Sequence, residues 1–222
     1  LLDKLSINEL SKLQKIESIC AILEVFIYIT AFIFYGGIIV FPSVNASANE
    51  KLNFLTNNYN TLSILNFISY ILFGILLAIL VVAIHQRLKT YHPALSKLTF
   101  SFGILWVGLV IACGMISNIG LHHVVTNNAN TPENTMLIWS SVSIITKDLG
   151  GGNEIVGGIW VLLISVFALK NDIFTKSLNI LGCIVGLSGI LSVYPLDIFT
   201  EIFGVSQIVW FIWIGVYMIR KS

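Results

Sequence analysis

Charge is what this sequence most lacks. Only 10% of its 222 residues are Asp, Glu, Lys or Arg, against 56% hydrophobic, and a water-soluble fold of this size needs far more polar side chains to cover its surface. A soluble globular domain is excluded. The net charge is +1 with no long basic run, so nothing points to nucleic acid or to a strongly anionic protein partner. Cysteine is scarce as well: Cys20, Cys113 and Cys183 stand in or beside apolar stretches, without a Cys-x-x-Cys pair or a neighbouring His. They read as small packing residues, neither a disulfide framework nor a metal site. No cleavable signal peptide is visible, because the first apolar run is too long and lacks a small-residue cleavage motif. That run reads as a membrane span.

What the chain does have is long apolar runs. Crossing a hydrocarbon core of roughly 30 Å takes about 20 residues, and the runs fall at about 18–41, 61–84, 98–120, 153–169, 177–194 and 201–219. The expected fold is an all-α bundle of six transmembrane helices forming one membrane domain over 1–222. Its basic residues are unevenly shared. Lys4, Lys12, Lys15, Arg87, Lys89, Lys97, Lys170, Lys176, Arg220 and Lys221 lie on alternate connections, and only Lys51 and Lys147 on the others. The positive-inside rule then puts both termini in the cytoplasm.

Residues 1–16 carry Leu2, Leu5, Leu10, Leu13 and Ile16 on one helical arc, the pattern of an amphipathic helix at the inner surface or of a cytoplasmic extension of the first span. Ser6 and Glu9 have capping-box spacing, a signal for its start. Pro42 stops the first span, and 43–60, rich in Asn and Ser, reads as an outer loop; it holds the sequon Asn45-Ala46-Ser47. Thr131-Pro132-Glu133 is a strong helix start. The helix expected after it, about 133–149, is short and contains Ser140, Ser141, Ser143, Lys147 and Asp148. Counting it as a seventh span would reverse the sidedness of Lys170, Lys176, Arg220 and Lys221. It is therefore placed on the outer side as an extra amphipathic helix between spans three and four, ended by Gly150-Gly151-Gly152. No internal repeat is convincing, which disfavours an inverted-repeat transporter.

The polar residues without an evident topological role collect at the outer end: Asn118, His122, His123, Lys147, Asp148 and Glu154, with Asp197 and Glu201 near span six. Ionisable groups at membrane depth are costly and so point to function; the plainer alternative is wetting at the interface. Glu154 has the strongest claim, following the glycines at the start of a short span, although its own helix N-terminus would also stabilise a carboxylate. Asn118, His122, His123, Asp148 and Glu154 are the expected ligand-binding residues, with Glu154 and one histidine lining a common cavity under the outer helix. His122 and His123 point about 100° apart on a helix, and no His-x-x-x-His or Glu-x-x-His spacing occurs, so no metal or cofactor is expected. Glu24, about two turns inside span one, must pair with a group such as Lys97, meet a water or snorkel to the inner headgroups. Gly182, Gly186 and Gly189 give span five a smooth face for close intramolecular packing.

With Glu154-Ile155-Val156-Gly157-Gly158-Ile159-Trp160, the polar turn Lys170-Asn171-Asp172 and the glycine-rich fifth span, the chain resembles a family of six-span bacterial membrane proteins known as domain of unknown function 4386. The resemblance implies a plasma (inner) membrane protein of a bacterium or archaeon and transfers no catalytic residue. The leading expectation for function is a non-enzymatic sensor or carrier that binds membrane lipid or a small amphiphile in a cavity open to the outer leaflet, beneath a mobile cover formed by the outer helix and its glycines. The runner-up is a membrane-embedded hydrolase or transferase using His122 or His123 with Glu154 or Asp148, with or without a metal. A structural or partner subunit is the third, and a homo-oligomer is left open.

Overall fold

The structure is a computed structural model that describes residues 7–126, 131–194 and 196–221. It is helical throughout, with no strand among the described residues. In chain order the helices are α1 (Ile7–Ile33), α2 (Ala48–Asn57), α3 (Tyr59–Asn66), α4 (Phe73–Leu88), α5 (Pro93–Thr126), α6 (Pro132–Lys170), α7 (Lys176–Leu191) and α8 (Asp197–Lys221); π-helical turns extend α1 (Phe34–Ile38) and join α3 to α4 (Phe67–Leu72). Five helical stretches are long and apolar enough to cross a membrane, and α7 is a shorter apolar helix. Their outward faces are apolar too: Ile19, Phe26, Ile184, Leu187, Val209 and Ile212 are all exposed, as side chains facing lipid must be. Several hydroxyls within the helices return to their own backbones, as in Thr30 to the Phe26 carbonyl, Thr99 to that of Leu95 and Ser206 to that of Ile202, which meets their need for a partner locally; those of Ser69 and Ser165 are buried without one.

The six long helices form a ring in chain order. α1 packs on α4, α4 on α5, α5 on α6, α6 on α7 and α7 on α8, and α8 closes back on α1. α1 and α8 run antiparallel, since Gly215 lies against Ala21 and Gly204 against Phe32. The start of α1 at Ile7 and the end of α8 at Lys221 therefore share one face, the terminal side. The opposite face is the far side.

Aromatic rings fill the centre. Tyr28 meets Phe73 at 5.3 Å between centroids, Phe73 meets Trp106 at 6.0 Å, Trp106 meets Trp160 at 5.6 Å, Trp160 meets Trp210 at 5.9 Å, Trp210 meets Phe211 at 5.5 Å, and Phe211 returns to Tyr28 at 6.1 Å. This closed circuit draws on α1, α4, α5, α6 and α8, and Phe73 also meets Phe211 across it at 6.3 Å. Glycines seat its three indoles: Trp106 lies over Gly157, Trp160 over Gly103 and Trp210 over Gly182. Ring pairs of this kind contribute about 0.5–1.5 kcal/mol each beyond the area they bury.

The α6–α7 seam has the close packing expected of Gly182, Gly186 and Gly189. A Cβ on Gly158 would come 2.8 Å from the Gly186 carbonyl oxygen and 2.9 Å from the Gly189 Cα, and a Cβ on Gly182 would overlap the Ser165 hydroxyl. Thr131 caps α6 by accepting from the Asn134 N–H, with Pro132 in the first turn, and Thr175 caps α7 in the same way through the Leu178 N–H.

Three expectations are corrected. The segment 133–149 is not a separate outer helix: α6 continues through Gly150, Gly151 and Gly152 for 39 residues, about 58 Å. Glycine costs a helix about 1 kcal/mol per residue, and tertiary support offsets it. Here the 34-residue α5 runs alongside, with Gly120 tight on Val142 and the Cys113 thiol donating to the Thr146 carbonyl at 3.5 Å. Second, the loop expected over 43–60 contains α2, started by a capping box in which Ser47 and Glu50 each receive the other's backbone N–H. Third, Glu24 neither snorkels nor pairs with Lys97. It is fully buried, and neither carboxyl oxygen has a hydrogen-bond partner. Of the N-terminal amphipathic helix, the described part from Ile7 is continuous with the first span; residues 1–6 lie outside the described residues.

Candidate functional site

Two adjoining cavities open on the far side of the aromatic circuit. The first, about 290 Å³, stands directly on Tyr28, Phe73 and Trp106 and is walled by α1, the second π-helical turn, α5, α6 and α8. The second, about 480 Å³, lies beneath the N-terminal half of α6 and is bounded by Trp139, Ser143 and Thr146 of that helix, by Phe54 of α2 and by Ser117 of α5. Tyr35 and Tyr70 line both. They form the partition.

Each dividing tyrosine comes from a π-helical turn, Tyr35 from Phe34–Ile38 and Tyr70 from Phe67–Leu72. Such turns insert a residue into the helical register, re-aim the side chains around it and recur at functional sites. Gly114 of α5 admits the second turn, because a Cβ there would come 2.5 Å from Cβ of Tyr70. The Tyr35 hydroxyl donates to Asn66 Oδ1 at 3.1 Å, Asn66 Nδ2 donates to Asn118 Oδ1 at 3.1 Å, and Asn118 Nδ2 donates to the Ser63 carbonyl at 3.2 Å. One partition ring is thereby held by a three-residue chain of amides and phenol.

Glu154 lines the first cavity. Its Oε2 accepts from the Thr200 hydroxyl at 3.1 Å, and the Ser192 hydroxyl lies beside the same carboxylate. Asn153, also lining this cavity, is buried, and its Oδ1 has no hydrogen-bond partner. Thr200, Asn153, Tyr28, Ser69 and Tyr70 supply the remaining polar lining, and no Lys, Arg or His is among the residues around it.

The residues expected to bind a ligand divide between these places. Glu154 faces the first cavity, and Asn118 supports the partition through Asn66. His122 and His123 are exposed, line neither cavity, and do not share a chamber with Glu154; the Nδ1 of His122 lies 3.1 Å from the Tyr59 hydroxyl. Asp148, Lys147 and Glu201 are exposed, and the side chain of Asp197 lies outside the described residues. Among the described residues, no three His, Cys, Asp or Glu side chains converge on a metal-sized site. The tyrosines, Thr200 and Asn153 were not singled out by the sequence. For Tyr35 a weak signal existed in the following Gly36-Gly37, where a span is free to leave α-helical register.

The family model described as Domain of unknown function (DUF4386) matches residues 24–222. No curated protein and no solved structure matches the chain. The family match takes in both cavities, the aromatic circuit and the seam between α6 and α7. Because it covers the sequence from Glu24 onward, this all-helical membrane protein belongs to the DUF4386 family.

Proposed function

We propose that the protein is a non-enzymatic binding module, a sensor or carrier that holds one small amphiphile in the Glu154 cavity. The observation that carries this reading is a largely apolar cavity with a closed aromatic floor and one carboxylate on its wall. A floor of packed rings retains a ligand and gives it no path onward. Mostly apolar walls with a few placed polar groups are the usual form of a small-molecule site. The partition of Tyr35 and Tyr70 is the element that responds to occupancy. Asn118 acts at a distance, by fixing Tyr35. The basic bias of the terminal side puts both termini in the cytoplasm and the cavities toward the outer leaflet, in the plasma membrane of a bacterium or archaeon. The continuous α6 removes the mobile glycine cover from this picture, and no contact between a histidine and Glu154 favours a hydrolase.

The test uses the neutral fluorophore 1-aminoanthracene with the purified protein in lipid nanodiscs. Saturable one-site binding is expected, and Ala31→Trp, which fills the cavity from α1, should abolish it. Glu154→Gln leaves the space open and should keep it. Non-saturable partition alone, equal to that of empty nanodiscs, would overturn the reading.

A further inference from the structure

Resting on that reading, we infer that the ligand is a primary or secondary organic ammonium whose N–H groups are taken by Glu154 and whose apolar body lies on the aromatic floor. Chemistry on the cavity wall carries the argument. The wall bears one ionisable carboxylate and no basic side chain. The hydroxyl of Thr200 donates to that carboxylate and that of Ser192 lies beside it, and neither group supplies charge. An ionised carboxylate facing an apolar chamber is stabilised by a cation in contact with it. Among the described residues no lysine, arginine or histidine lines this cavity, which leaves that cation to the ligand.

The acceptor chemistry of the carboxylate narrows the class. Asn153 completes the wall, with its carbonyl oxygen closed off inside it. A carboxylate offers two oxygens with about four lone-pair sites, of which the Thr200 hydroxyl fills one, so the head that suits it carries N–H bonds as well as charge. A primary or secondary ammonium has them; a quaternary ammonium has none, and an alcohol has one donor and no charge. Tyr28, Phe73 and Trp106 line the same chamber, and aromatic rings beside a cationic nitrogen add cation–π attraction. The volume of about 290 Å³ lies at the small end of ligand cavities and suits a short chain or one fused ring system better than a two-tailed lipid.

Binding of n-octylamine, n-octanol, n-octanoate and octyltrimethylammonium is measured by calorimetry on the protein in zwitterionic nanodiscs, with empty nanodiscs subtracted. Octylamine should bind at least tenfold tighter than octanol and than the trimethylated cation, and octanoate weakest. Glu154→Gln should abolish the preference, so that octylamine and octanol bind that variant equally. The wild-type series stands even where the variant does not fold. Octanol binding as tightly as octylamine would overturn the ammonium assignment and leave the amphiphile reading standing. Equal binding of octylamine and its trimethylated analogue would overturn the role given to the N–H donors. Saturable binding of none of the four would overturn both this inference and the proposed function.

Discussion

At the scale of single residues, two acidic side chains behave in opposite ways for reasons visible around them. Glu24 sits in the apolar interior with neither oxygen bonded, and an uncompensated buried acid weakens a fold. Glu24→Leu should therefore raise the thermal midpoint, by the equivalent of about 1–3 kcal/mol. A lower midpoint would mean that the carboxyl has a partner in the membrane. Glu50 is exposed, and the backbone N–H of Ser47, then its hydroxyl, hold its carboxyl below the usual range. A group lowered on folding contributes stability above its unfolded pKa, lost as pH falls through the folded value. Hydrogen exchange in α2, corrected for intrinsic rates, should keep its protection between about pH 7 and 5 and lose it below the ordinary glutamate range of about 4.3. Glu50→Gln should flatten that dependence, and an unchanged profile would assign it elsewhere.

Among the elements, the seam between α6 and α7 gives the sharpest test, because its glycines differ so clearly from one on the lipid face. A Cβ on Gly186 would lie 2.5 Å from the Leu162 Cβ, whereas one on Gly108 would meet nothing within 4 Å. Gly186→Ala should cost about 1–3 kcal/mol through overpacking. Gly108→Ala should be neutral or stabilising by up to about 1 kcal/mol. Equal effects in a thermal scan of the two variants would refute the seam. This contact was legible in the sequence, since Gly-x-x-x-Gly has one physical use in an apolar helix. The length of α6 was not. Three glycines and a polar stretch argue locally for a break, and the packing that overrides them comes from α5, which runs antiparallel alongside. The helix α2 could have been read from Ser47 and Glu50, whose capping spacing equals that of Ser6 and Glu9. The partition tyrosines could not, because a π-helical turn leaves no periodic mark.

For the molecule as a whole, charge and packing make separate predictions. Single cysteines replacing Asn45, Thr90 and Asn171 in a cysteine-free background should react with an impermeant thiol reagent from outside only at position 45. External labelling at position 171 would reverse the assigned sidedness. The closed ring circuit predicts no ion conductance in proteoliposomes, and a steady wild-type current would contradict it. The helical membrane class was recoverable from hydropathy, and so was Glu154 as a residue at a cavity; the other walls were not, because they arise where several elements meet and no one of them encodes the space. The closure of α8 onto α1 also bears on biosynthesis. At about 5–20 residues per second, α8 follows Glu24 out of the ribosome by on the order of ten seconds or more. For that interval the first helix, with its carboxyl, lacks the last helix that packs along it. The insertion machinery must shelter that face until the last helix arrives, so a ribosome stalled before α8 leaves a nascent chain whose first helix is the one most prone to slip back out.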